Sequence, residues 1–181
     1  MEHATAADRN IILLGMPGAG KSTIGVLLAK RTARGFVDSD VLIEVREGML
    51  LQEILELSDY RNLRRIEQEV LLSLDLRRHV IATGGSAAYS RKAMRHLKKN
   101  GVIVFLDVPF DILEARIHNF ETRGIACPPN TSLREIHEER LPLYRQWADI
   151  TLDCGSKGHD DIVTDIMESS ERYPQPRYPG A

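Results

Sequence analysis

Hydrophobic and polar residues form two kinds of segment along the chain. Short apolar runs that contain β-branched residues indicate buried strands, and they lie at 11–14, 35–37, 80–83, 102–108 and 148–153. Longer segments with apolar residues at helical spacing indicate amphipathic helices, at 21–32, 41–76, 90–100, 109–118, 132–147 and 159–171. The second helical segment is expected to break near Gly48 and near Ser58–Asp59. Because strands and helices take turns, the pattern predicts an α/β three-layer sandwich with a five-stranded parallel sheet.

One long segment follows neither pattern. Residues 119–131 contain a glycine and two adjacent prolines, and a loop of this length in a compact domain is often a lid or a binding loop. The Pro-rich end of the chain, 174–181, is predicted to be a disordered tail. We therefore expect a single domain over 1–173, with its ligands beyond the carboxyl ends of the strands.

Composition and charge narrow the class of partner. The formal net charge of −2 argues against a nucleic-acid surface, which needs a clear basic excess. No apolar run approaches the roughly 18 residues that a membrane span requires, and the polar N-terminus lacks the apolar core of a signal peptide. The two cysteines, Cys127 and Cys154, lack the spacing of metal ligands and are expected to be reduced thiols. These features predict a cytoplasmic protein without nucleic-acid or membrane partners.

The segment GMPGAGKS, Gly15–Ser22, matches the phosphate-loop pattern G-x-x-x-x-G-K-[ST] and lies between a predicted strand and a predicted helix. Glycines let backbone N–H groups approach phosphate oxygens, and the start of the helix adds its positive dipole end. Lys21 is expected to reach the β- and γ-phosphates of ATP, and the Ser22 hydroxyl to bind Mg²⁺. The nucleotide-binding residues predicted here are Gly15, Gly18, Ala19, Gly20, Lys21, Ser22 and Thr23.

Three classes of protein use such a loop: small-molecule kinases, GTPases and motor-type ATPases. The chain has no N-K-x-D segment of the GTPase kind, and a motor ATPase usually needs a longer chain. A compact kinase therefore fits best.

Two carboxylates follow the second predicted strand, in the segment VDSD. Asp38 and Asp40 are alternate residues at an extended end and are expected to point to the same side. One could face the metal while the other accepts the proton of an attacking hydroxyl, as in-line phosphoryl transfer requires. The alternative is that Asp40 only caps the following helix.

Together with these motifs, three arginine-containing segments give the sequence a resemblance to the shikimate kinase family. The matching segments are GMPGAGKST, VDSDVLIE, LRRIEQEVL, VIATGG, RIHNFETRG and ERLPLYRQWAD. They occur in the order and spacing of that family, from about Asn10 to Asp153. The resemblance implies a fold of the nucleoside-monophosphate-kinase type with a mobile lid over 117–131. It also implies ATP- and Mg²⁺-dependent phosphorylation of shikimate to shikimate 3-phosphate.

The resemblance assigns roles to the acidic residues and to two of the arginines. The metal-side aspartate of the family corresponds to Asp38, and the aspartate that binds the reacting hydroxyl, the base, corresponds to Asp40. The arginines that bind the substrate carboxylate correspond to Arg64 and Arg140. Two guanidinium groups can hold a carboxylate by forked, charge-assisted bonds. The alternative for Arg64 is a pairing with Glu67 or Gln68 along its own helix.

Two more arginines belong to the nucleotide side. The lid arginine of the family, which closes over the transferring phosphates, corresponds to Arg123, and we expect it to act with Lys21 and Asp40 in catalysis. The adenine-side arginine corresponds to Arg116. Each could instead lie on a solvated face or in an ion pair.

The departures from the family pattern are concentrated at the acceptor end. Gly84-Gly85-Ser86 stands where the family has three glycines, and all three residues are expected beside the acceptor. The two glycines should let backbone N–H groups approach the acceptor and the γ-phosphate closely, whereas Ser86 adds a side chain beside the carboxylate of the acceptor. Leucines at 55 and 63 replace aromatic residues, and Gly124 follows the lid arginine where the family has proline. Asp59 replaces a glycine and, if it faced the pocket, would favour an acceptor with an ammonium group; the alternative is that Asp59 only caps a helix.

These departures leave the identity of the acceptor open. Shikimate follows from the family, while homoserine or another small hydroxy acid would use the retained arginines together with Asp59. A nucleotide-binding regulatory module is a further alternative, but the intact set of aspartates and arginines argues against it. A nucleoside or gluconate-type kinase is disfavoured by the D-x-D and R-x-P-L-Y segments. In each enzymatic case we expect a monomer that acts on a small molecule.

Overall fold

The computed structural model describes residues 8–118, 120 and 123–173. The expected tail at 174–181 lies outside these residues, as do 1–7 and positions 119, 121 and 122 of the expected lid.

Five strands form one parallel sheet, as the hydrophobic pattern predicts. They are β1 (Asn10–Leu14), β2 (Gly35–Asp38), β3 (His79–Ala82), β4 (Gly101–Asp107) and β5 (Ile150–Asp153), in the order β2-β3-β1-β4-β5. β1 is the central strand and is buried throughout, because its apolar NIILL segment is covered by helices on both faces. β1 and β3 pair in parallel from Ile11 with Val80 to Leu13 with Ala82, which places their carboxyl ends side by side.

Eight helices surround the sheet within the described part of the chain. They are α1 (Lys21–Thr32), α2 (Ser39–Glu47), α3 (Leu51–Leu57), α4 (Tyr60–Ser73), α5 (Arg91–Lys99), α6 (Phe110–Arg116), α7 (Leu133–Trp147) and α8 (His159–Arg172). The predicted segment at 41–76 is indeed three helices. α2 ends at Gly48, which has a left-handed φ of 67°, and α4 begins after the Asp59 cap. No helix in the ranges described is long and apolar enough to cross a membrane.

The hydrophobic core has two parts. The larger part covers both faces of the sheet, and a smaller cluster lies between α2, α3, α4 and the segment after residue 122. The members of this smaller cluster are Ile43, Ile54, Leu63, Ile66, Val70 and Ala126. Leu63, which stands where the resembled family has an aromatic residue, is buried in it. The small cluster therefore joins the acceptor side of the molecule to the expected lid.

Candidate active site

The phosphate loop connects β1 to α1 in the way the motif predicts. Gly20 caps α1 with a left-handed φ of 90°, and the first turn of the helix has no acidic residue and no side-chain cap. Gly18 has a φ of 80°, and a methyl group on it would come within 2.9 Å of Ile117. The loop thus needs glycine at both positions, and it leaves the positive end of α1 available for an anion.

Lys21 is buried and folds back onto the loop. Its Nζ donates to the carbonyl oxygens of Gly15 at 2.8 Å and Met16 at 2.9 Å. Burial lowers its pKa to about 8, against the opposing effect of Asp40 and Asp38. The ammonium group is therefore fixed at the border of the cavity. A bound phosphate would place negative charge next to it and stabilise its protonated form, which burial disfavours.

The two aspartates at the end of β2 are arranged by a helix cap. Asp38 is the N-cap of α2, and its Oδ1 accepts from the Asp40 backbone N–H at 3.0 Å. Its other oxygen, Oδ2, accepts from the Ser22 hydroxyl at 2.6 Å. The alternative that Asp40 is the cap is wrong, because Asp40 lies one step inside the helix and its carboxylate lines the cavity.

Ser22 and Asp38 offer the oxygen ligands that Mg²⁺ prefers. Among the described residues no cluster of three or more His, Cys, Asp or Glu side chains could hold a metal ion. Mg²⁺ in phosphoryl-transfer enzymes keeps several waters and binds substrate phosphates, so one hydroxyl and one carboxylate are enough. The direct contact of Ser22 with Asp38 beside the phosphate loop fits such a site.

Asp40 and Glu67 converge above Gly84. A methyl group placed on Gly84 would lie 2.5 Å from Asp40 Oδ1 and would also collide with Glu67 Oε1. Burial raises the pKa of Asp40 to about 6, partly offset by Lys21, and burial followed by repulsion from Asp40 raises the pKa of Glu67 to about 7. The site therefore contains two neighbouring carboxyl groups that resist double ionisation at neutral pH.

Sequence reasoning missed the role of Glu67. It left open a pairing of Glu67 with Arg64, whereas the structure shows a hydrogen bond from the Ser86 hydroxyl to Glu67 Oε2. One signal was present in the sequence. Glu67 lies on the same buried face of α4 as Leu63 and Val70, where a charged residue needs a reason to be.

Arg140 and Arg64 come together as predicted, but they share one carbonyl. Arg140 is 1% exposed and donates to the Ala126 carbonyl at 2.8 Å, and Arg64 donates to the same oxygen at 3.1 Å. Arg140 lines the cavity, whereas Arg64 is outside its lining and stacks on the Tyr89 ring with its Cζ 3.7 Å from the centroid. The pair forms a cationic end of the site next to Gly85, where Arg140 Nη1 lies 2.8 Å from the position of an added methyl group.

The segment that contains Gly84, Gly85 and Ser86 is held from both sides. The Gly84 N–H donates to Ser39 Oγ at 2.8 Å, and Tyr144 donates to the Gly85 carbonyl at 2.6 Å. The expectation that the Gly84 N–H faces the acceptor is therefore wrong, because Ser39 engages it. Ser39 is fully buried and was missed from the sequence, since only the sheet brings β2 and β3 together.

Residues next to and within the expected lid border the cavity or the phosphate loop. Arg123 is exposed and lines the cavity, and Arg116 Nη1 lies 3.5 Å from the Gly18 carbonyl. Gly124 has a φ of 68° and donates its N–H to Gln52 at 3.1 Å. A proline could make neither that φ nor that bond, which explains glycine at this position.

Asp59 does not take part in the site. Its carboxylate accepts from the Asn62 N–H at 2.8 Å as the N-cap of α4, and the side chain is exposed. It borders a separate surface groove together with Leu55. The argument for an ammonium-bearing acceptor based on Asp59 is therefore not supported.

The cavity that joins these groups has a volume of about 370 Å³, in the range of small-molecule sites. Most of the predicted residues line it: Gly18, Gly20, Lys21, Ser22, Thr23, Asp40, Gly84, Gly85, Ser86, Arg116, Arg123 and Arg140. Gly15, Ala19, Asp38, Arg64 and Asp59 are outside its lining. Of these, Gly15 and Ala19 shape the loop, Asp38 holds Ser22, and Arg64 acts beside Arg140.

Comparison with known proteins supports the resemblance to the shikimate kinase family. The family model described as shikimate kinase matches residues 17–171. The shikimate kinase of Sulfurihydrogenibium sp. is 35% identical over 91% of this chain and 99% of its own length, and that of Thiobacillus denitrificans is 39% identical over 80% of each. The solved structure of the shikimate kinase of Acinetobacter baumannii superposes with a TM-score of 0.82 at 31% identity, over 93% of this chain and 97% of that one. With a family model that spans most of the domain and relatives covered almost end to end, the chain belongs to the shikimate kinase family.

Proposed function

We propose that this protein is an ATP-dependent kinase that transfers the γ-phosphate of ATP to a hydroxyl of shikimate and forms shikimate 3-phosphate. One observation carries the proposal. A single cavity connects the phosphate loop to an acceptor region that has carboxyl groups at one end and a buried guanidinium at the other. The Acinetobacter baumannii enzyme, which matches along nearly its whole length, is described as a complex with shikimate.

Gly84 and Gly85 lie under two ends of the acceptor region, one lined by carboxyl groups and the other by a guanidinium group. Asp40 and Glu67 lie over Gly84, while Arg140 lies over Gly85. The Cα atoms of these consecutive glycines are about 3.8 Å apart, as across any trans peptide. A small molecule can therefore present hydroxyls to the two carboxyl groups and, at the same time, a carboxylate to Arg140. A hydroxy acid matches this arrangement, and shikimate has both groups.

Asp40 is the residue placed to accept the proton of the reacting hydroxyl. Its raised pKa, about 6, makes it a stronger base than an exposed aspartate and is still low enough to leave most of it ionised at neutral pH. Lys21 and Arg123 border the same cavity from the phosphate side and would stabilise charge on the transferring group. Ser22 and Asp38 would hold Mg²⁺, which when bound neutralises charge on the phosphates.

The test offers the purified protein ATP and Mg²⁺ with shikimate, homoserine and a panel of other hydroxy acids, and ADP release is measured. We expect shikimate to be turned over with a kcat/KM at least about 100-fold above homoserine, which lacks the second hydroxyl. A preference for homoserine would contradict the assigned acceptor. Tight ATP binding without turnover of any acceptor would instead support the regulatory module.

Three further expectations belong to this proposal. We expect omission of Mg²⁺ to abolish turnover, and gel filtration to give the mass of a monomer. We also expect the protein to act in the cytoplasm, where its reduced cysteines and its substrates would be maintained.

A further inference from the structure

Glu67 is a buried carboxyl group with only one of its oxygens paired. The residue is 3% exposed and lines the cavity. Its Oε2 accepts from the Ser86 hydroxyl, while Oε1 is buried and receives no hydrogen bond from the described residues. A buried carboxyl oxygen without a hydrogen-bond donor lowers the stability of the folded state. Because Glu67 lines the cavity, a ligand bound there could donate a hydrogen bond to this oxygen.

The position of Oε1 is specific. It converges with Asp40 Oδ1 on the same point above Gly84, where a methyl group on that residue would touch both. The nearby guanidinium groups bond elsewhere, since Arg64 and Arg140 both donate to the Ala126 carbonyl. Ser86 therefore provides the hydrogen bond that directs the free oxygen of Glu67 toward Asp40 and away from the arginines.

We infer that Ser86 is a positioning residue that holds Glu67 above Gly84, and that Glu67 binds the acceptor hydroxyl next to the one that Asp40 deprotonates. This inference rests on the proposed function and names a contact that selects among acceptors. Two converging carboxyl oxygens match two hydroxyls on neighbouring carbons, since each oxygen accepts one O–H.

A neutral hydroxyl fits this place better than an ammonium group. The cavity already contains the buried cations Lys21 and Arg140 and is bordered by Arg123. Three cationic side chains therefore already face only two carboxyl groups, those of Asp40 and Glu67. A further cation would thus meet more positive charge than the carboxyl pair could balance.

The first experiment compares Ser86→Ala, Ser86→Thr and Glu67→Gln with the wild type. Ser86→Ala and Glu67→Gln should raise the KM for shikimate by roughly tenfold or more, while kcat and the KM for ATP change less than about twofold. Ser86→Thr retains the hydroxyl and should retain most of the acceptor affinity. The matched control is Ser90→Ala, because the Ser90 hydroxyl also donates to an α4 side chain, Gln68 at 2.6 Å, but outside the cavity.

The second experiment identifies the hydroxyl with 4-deoxyshikimate, which lacks the group next to the phosphorylated one. The wild type should use this analogue with a kcat/KM at least about tenfold below that of shikimate, and Glu67→Gln should reduce the ratio to below about threefold. Thermal unfolding and ATP binding verify that each variant is folded. If Ser86→Ala does not fold, the result for Glu67→Gln alone decides whether Glu67 binds the acceptor hydroxyl.

Three outcomes bear against the inference in distinguishable ways. An unchanged shikimate KM in both Ser86→Ala and Glu67→Gln would overturn it while leaving the proposed function intact. Equal discrimination against 4-deoxyshikimate by the wild type and Glu67→Gln would overturn the contact with that hydroxyl. Absence of shikimate turnover by the wild type itself would overturn the proposed function, and the inference with it.

Discussion

Replacing Glu67 by glutamine should change how the stability of the protein depends on pH. Glutamine keeps the size of the side chain and can still accept the Ser86 hydroxyl, but it cannot ionise. In the wild type, burial and the neighbouring Asp40 raise the pKa of Glu67 from 4.5 to about 7. The substitution therefore removes a group whose ionised form is disfavoured by folding.

The magnitude follows from proton linkage. Each pKa unit corresponds to about 1.4 kcal/mol, so a shift from 4.5 to about 7 corresponds to on the order of 3 kcal/mol. Because the folded pKa is raised, the folded state binds more protons than the unfolded state between these values. The contribution of Glu67 to the free energy of unfolding is thus most favourable below about pH 4.5 and is lost as the pH rises toward 7.

Urea denaturation at several values between pH 5 and pH 8 measures this effect. The free energy of unfolding of Glu67→Gln, relative to the wild type, should increase with pH across that range by on the order of 2 to 3 kcal/mol. Glu69→Gln, on the exposed side of α4, is the matched control. Hydrogen bonds from Arg46 and Arg65 lower the pKa of Glu69, so this group is ionised in both the folded and the unfolded state above pH 5, and its substitution should give no pH trend across the range.

A flat difference between Glu67→Gln and the wild type from pH 5 to pH 8 would refute the reasoning. It would mean that Glu67 ionises in the folded protein as easily as in the unfolded chain. The convergence of two desolvated carboxyl groups above Gly84 would then not describe the protein in solution.

Three other substitutions give separable results. Asp40→Asn should lower kcat for ADP release by about 100-fold or more, with an ATP dissociation constant by calorimetry within about twofold of the wild type; retained activity would exclude Asp40 as the base. Ser39→Ala should lower the free energy of unfolding by about 1 to 3 kcal/mol in urea, because it leaves the buried Gly84 N–H without an acceptor, whereas an unchanged midpoint would argue against that bond. Gly124→Pro restores the family residue but removes the N–H bonded to Gln52 and excludes the φ of 68°. It should speed amide hydrogen exchange around residue 125, and unchanged exchange would show that this contact does not hold the segment.

Elements with a local origin could be predicted from the sequence. The five strands, the breaks near Gly48 and Asp59, and the phosphate loop all depend on patterns within a few consecutive residues. The exposed cap position of Asp59 was one of two options that the sequence left open, and only the packing of α4 decides between them.

The acceptor end could be predicted only in part, because it depends on contacts between distant residues. Ser39 reaches Gly84 through the pairing of β2 with β3, and Ser86 reaches Glu67, in the middle of α4, from the loop after β3. Neither contact has a pattern in the chain. The family resemblance assigned both arginines to the acceptor carboxylate, and it did not indicate that both would donate to one backbone carbonyl.

That shared carbonyl makes recognition of a carboxylate an exchange of ligands. One N–H of Arg64 and one of Arg140 donate to Ala126, while the Nε–H of each is buried without an acceptor among the described residues. An incoming carboxylate that takes over the bonded N–H groups gains there only the difference between a charged and a neutral acceptor, about 1 kcal/mol per bond. A further gain comes from the Nε–H groups, because they have no acceptor until an anion reaches them. Ala126 belongs to the small hydrophobic cluster, so the release of its carbonyl would be felt by the helices packed around it.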